Sequence, residues 1–100
     1  VANVHQNPYD VRSPVLASEF CGTSISSRGM SQERVASIAA ASPHTLLTNA
    51  ERRGYGVIEL SREKAEVRLR VLDDVKRADA DITTLATFRV EDGRPEIIRV

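Results

Sequence analysis

The sequence predicts an α+β fold: one extended strand, one short helix, then a small antiparallel β-meander. Three observations carry that prediction. An apolar, β-branched run from Pro14 to Cys21 halts at Gly22. Mutually consistent helix signals span Met30 to Pro43. From Tyr55 onward the hydrophobic period drops to two.

In chain order, Val1 to Arg12 is polar, contains the turn-forming run Asn7-Pro8-Tyr9-Asp10, and reads as a connector. The strand at 14–21 follows. Leu16 and Phe20 would share one face, with Val15, Ala17 and Cys21 on the other, so both faces are apolar, as in a strand within a covered sheet. Gly22 to Gly29 is a Ser/Thr/Gly-rich loop. A helix over 31–41 is expected next. Ser31 is its N-cap, Glu33 lies in its first turn, Met30 and Val35 have staple spacing, and Pro43 stops it. Val35, Ile38 and Ala39 would form its narrow apolar face.

The meander occupies 55–100. Tyr55 to Leu60 is its first strand, and Ser61 to Lys64 its first loop. In the second strand, Ala65, Val67, Leu69 and Val71 alternate with Glu66, Arg68 and Arg70, the pattern of a half-buried strand. A third runs near Thr83 to Val90, with Ile82, Thr84, Ala86, Phe88 and Val90 on one side. Glu91-Asp92-Gly93-Arg94 supplies a turn, and Glu96 to Val100 completes the sheet.

Composition narrows the function classes. In 100 residues, 14 Lys and Arg balance 14 Asp and Glu, which argues against broad electrostatic binding to nucleic acid or an anionic membrane. No apolar run approaches the length of a membrane span. Cys21 is the one cysteine, so no internal disulfide exists. With His5 and His44 it gives none of the paired spacings of a zinc site. Nothing near Val1 reads as a signal peptide.

Four segments, in order, resemble the C-terminal region of the alkaline phosphatase D-like (PhoD-like) metallophosphoesterases. Residues 13–27, SPVLASEFCGTSISS, are similar to that family's SPVVATEFVGTSITS. Ser42-Pro43-His44 with Arg52-Arg53-Gly54-Tyr55 is similar to its NPH…RRGY pattern. Residues 70–75, RVLDDV, are close to RVVDDV, and 84–95, TLATFRVEDGRP, are close to its terminal TLASFVVEDGRPG. Together they span about nine-tenths of the chain. Cys21 stands where valine is frequent, and Arg28 where glycine is commoner.

The resemblance implies a phosphoric ester hydrolase, exported by family analogy, whose divalent metals, or iron and calcium, activate an oxygen nucleophile. The chain would be one part of a larger metallophosphoesterase sandwich. Its partners would be the upstream catalytic part of the same enzyme and, there, a phosphate ester. The family's Gly-Asp-x-His metal motif would fall just before Val1, so no metal ligand, cofactor or catalytic residue is expected within this chain, and the isolated chain is expected to be inactive. The alternative is a non-enzymatic module that associates by strand addition through the doubly apolar strand, as a homo-oligomer or with another chain.

The candidate substrate-binding residues are Thr23, Ser24, His44 and Arg53. Loop N–H groups with the Thr23 and Ser24 hydroxyls could cradle a phosphate; the ordinary reading is a loop whose hydroxyls satisfy local backbone. His44 would touch substrate or a metal-bound oxygen, or simply bond backbone. A guanidinium at Arg52 or Arg53 could hold phosphate bidentately, or pair with Glu51 or Glu59 and fix a strand edge. Cys21 is expected to be a buried, inert thiol. Adjacent Asp73 and Asp74 would point to opposite faces and not share a metal.

Overall fold

The computed structural model describes residues 1–100 as one helix and two antiparallel sheets. Two short strands, β1 (Ala2–His5) and β2 (Val15–Glu19), form a ribbon. The helix α1 (Gln32–Ala40) follows. Then β3 (Gly54–Leu60), β4 (Lys64–Leu72), β5 (Ile82–Glu91) and β6 (Arg94–Arg99) make a meander in that order.

The meander follows from alternation and turn chemistry. Ile58 pairs with Val67, and Val67 with Phe88, so one face collects apolar residues across three strands. Arg68, Glu59 and Glu66 share the other face as a surface ion-pair network, with Arg68 Nη2 2.9 Å from Glu59 and Nη1 3.2 Å from Glu66. Arg68 donates to Glu59 and holds its carboxyl below the ordinary carboxylate range; Lys64 adds a smaller pull in the same direction. Asp92-Gly93 turns the chain from β5 to β6. Gly93 has φ +72°, a left-handed conformation that a β-carbon disfavours.

The core is thin. Val67, Val71, Ala86, Phe88 and Ile97 are its buried apolar residues. The chain exposes 7133 Å², against about 5,600 Å² for a compact monomer of this mass by the usual area scaling. Its radius of gyration is 14.8 Å, where a compact chain of this length has about 13 Å. The molecule is a slab, 43 × 34 × 18 Å.

Two N-terminal expectations are corrected. The segment 1–12, read as a connector, contains β1. Its register runs from Ala2–Glu19 to His5–Val15, and an isolated bridge joins Ala2 to Thr45. The amino group of Val1 donates to the Leu47 carbonyl at 3.0 Å. Four residues paired to a distant partner leave no periodic signal of their own. The strand expected at 14–21 ends at Glu19, and Cys21 is exposed rather than buried. The two-strand ribbon covers only part of the meander, so Leu16 stays 61% exposed while Phe20 packs against Phe88, ring centroids 6.0 Å apart.

The helix begins where Ser31 directs it. The Ser31 hydroxyl accepts from the Arg34 N–H at 3.3 Å. None of its residues is buried. A long-range hydrogen bond from the Ala50 N–H to Gln32 Oε1, 2.9 Å, holds it to the body.

Candidate functional site

The loop at 22–30, the segment 47–53 and the apolar face of the meander enclose an open groove of about 490 Å³. Phe20, Met30, Val35, Leu69 and Val71 give it apolar walls, and Thr23, Ser24, Arg52 and Arg53 stand among its polar lining. Clefts of this size with a few convergent polar groups are the usual form of a ligand site.

Arg53 organises the polar end. It is buried although cationic, and no carboxylate forms an ion pair with it. Nε donates to the Ser27 carbonyl at 2.7 Å. Nη1 reaches the carbonyls of Ala50 at 3.1 Å and Arg52 at 3.0 Å, and the Thr23 hydroxyl at 3.3 Å. Nη2 packs over Gly29, where an added β-carbon would lie 2.5 Å from it. The guanidinium thus ties the 22–30 loop to the start of β3. Neither Glu51 nor Glu59 pairs with it, and Glu59 is engaged by Arg68 instead. Carbonyl partners carry no sequence signature, so this arrangement was not readable from the residue order.

The sequence candidates divide. Thr23, Ser24 and Arg53 come together at the groove, while Ser24 Oγ also donates to the Ser27 carbonyl at 3.2 Å, a local loop bond. His44 lies outside the groove. Its carbonyl accepts from the Asn3 N–H at 3.1 Å, and its Nδ1 is enclosed without a hydrogen-bond partner.

The chain gathers no group of three or more His, Cys, Asp or Glu side chains that could hold a metal. Asp73 and Asp74 serve a turn: Asp73 Oδ1 accepts from the Asp74 N–H and Asp74 Oδ1 from the Lys76 N–H, both at 2.8 Å. Local turn bonds thus account for both carboxylates. Comparison with protein-family models, curated proteins and solved structures found no match.

Proposed function

We propose that this chain is the C-terminal portion of a PhoD-like phosphoesterase, where it forms one wall of the phosphate pocket without supplying metal ligands. The observation that carries the reading is the bond between Arg53 and Thr23. These residues belong to two different segments that resemble the family, lie 30 positions apart, and meet at 3.3 Å on the rim of a groove. A buried guanidinium without a carboxylate partner favours an oxyanion, because desolvation strengthens the attraction; with Nε and Nη1 donating to Ser27, Ala50, Arg52 and Thr23, Nη2 is the nitrogen left to meet a phosphate oxygen.

The exposed area supports the reading too. An excess of about 1,500 Å² over a compact monomer is more than one partner's share of a standard interface. In the intact enzyme the remaining sandwich would cover this surface, and the chain's own residues would orient phosphate and exclude water.

The test pairs two measurements on the purified chain. Added iron, calcium or zinc is expected to give no turnover of p-nitrophenyl phosphate or its bis-ester. Inorganic phosphate, titrated under NMR observation, is expected to shift Thr23, Ser24 and Gly29 and to lose that effect in Arg53→Gln. Stoichiometric metal-dependent turnover would overturn the assignment of the ligands to another part. An unmoved Thr23 at saturating phosphate would overturn the pocket-wall role.

A further inference from the structure

The meander ends in a free edge that fits a second copy of itself. β3 is the outermost strand, with β4 on one side and no strand on the other. Its seven residues pair with β4 without a register shift. The N–H of Leu72 donates to the Arg53 carbonyl and that of Ser61 to the Lys64 carbonyl, each at 2.9 Å. Odd-numbered positions from 53 to 61 therefore bond inward, and antiparallel alternation turns the N–H and C=O of Gly54, Gly56, Ile58 and Leu60 outward.

Protected edges usually carry proline, lysine, a bulge or a covering element. β3 has no proline, lysine or bulge. It exposes Tyr55, Ile58 and Leu60, the last at 80%. Its one charge, Glu59, is already paired with Arg68.

We infer that two copies of this chain associate by antiparallel pairing of β3 with β3 about a two-fold axis at Val57. That register follows from the positions. Gly54 falls opposite Leu60 of the second copy and Gly56 opposite Ile58, so every outward-facing residue meets another in a hydrogen-bonding pair. Tyr55 faces Glu59 and Val57 faces Val57, so the two carboxylates stay apart and no like charges oppose. An isologous contact of this kind closes at two copies. Ile58 and Leu60 of both copies lie on the apolar face, and the pairing joins the two four-stranded sheets into one of eight. The inference stands without the phosphoesterase reading.

Sedimentation velocity over a wide concentration range, joined to amide hydrogen exchange, tests it. The amides of Gly54, Gly56, Ile58 and Leu60 are expected to gain protection as dimer forms, while those of Tyr55, Val57 and Glu59 are protected throughout. Val57→Lys and Val57→Glu are each expected to lose the dimer, and mixing the two variants to restore it. A monomer at every concentration, or a dimer whose four outward amides stay unprotected, would overturn the inference. So would a Val57→Lys protein that dimerises like the parent. The wild-type exchange pattern decides the matter even where a variant folds poorly.

Discussion

Removing the Arg53 guanidinium should loosen the groove before it unfolds the sheet. In Arg53→Met the alkyl stem is roughly kept and the fork is lost. Two of its bonds connect separate segments: Nε to Ser27, 26 positions away, and Nη1 to Thr23, 30 positions away. Nη1 also fixes the Ala50 carbonyl, next to the N–H that holds Gln32. Hydrogen bonds from a charged donor contribute about 1.5–3 kcal/mol each. The long-range pair therefore bounds the loss at about 3–6 kcal/mol, and water entering the open groove recovers part of it, leaving about 2–4 kcal/mol. Arg53→Lys should fall between, since an ammonium cannot reproduce the fork. Urea unfolding gives the total. Amide exchange should show α1 and the 22–30 loop losing protection first, because no helix residue is buried. A Met variant within about 0.5 kcal/mol of wild type, the range of an ordinary surface change, would refute the assignment of Arg53 as the tie.

Phe88→Ala removes the most buried side chain and its contacts with Phe20 and Ile97. A loss of about 3–5 kcal/mol is expected, enough to unfold much of so thin a core, and thermal unfolding by circular dichroism measures it. Gly54→Ala should separate β3 from β4, because its β-carbon would run into the Arg70 carbonyl; the readout is loss of amide protection at Tyr55 and Val57 with β5 still protected. Glu59 has its folded pKa lowered by Arg68, so its stabilisation is present above the unfolded carboxylate range and lost as pH falls through the lower folded value. Glu59 is exposed and Arg68 half-buried at the surface, so the effect is small: Glu59→Gln should narrow its gap to wild type on acidification, measured as unfolding midpoints across pH.

The meander and α1 were legible because their signals are local. Ser31 and Pro43 bracket the helix within a residue or two, and the alternation of Ala65 to Val71 sets both the strand and its buried side. Asp92-Gly93 marked the last hairpin. β1 was not legible, since Ala2 to His5 owes its conformation to Glu19, Thr45 and the Leu47 carbonyl. Residue type singles out Thr23, Ser24 and Arg53 as candidates, and all three line the groove. Their connection was hidden because carbonyl oxygens belong to every residue. The exposure of Cys21 is not legible for a related reason: a strand pattern gives the faces, but the covering layer decides which one is dry.

One contact bears on the order in which the molecule assembles. The Ile97 N–H donates to Asn3 Oδ1 at 3.0 Å, across 94 positions of chain. The meander joins only sequence neighbours, three hairpins in succession, whereas this bond must close almost the whole polypeptide. Closure entropy rises with loop length, and long-range pairings slow folding. By this reasoning the meander is expected to form first and the N-terminal ribbon to dock last, bringing Phe20 onto Phe88; a φ-value near one at Asn3 would refute that order. In that order the face of Phe88 would stay open to water until the ribbon docks, and the interval between the two steps would be when this chain is most exposed to association with the wrong partner.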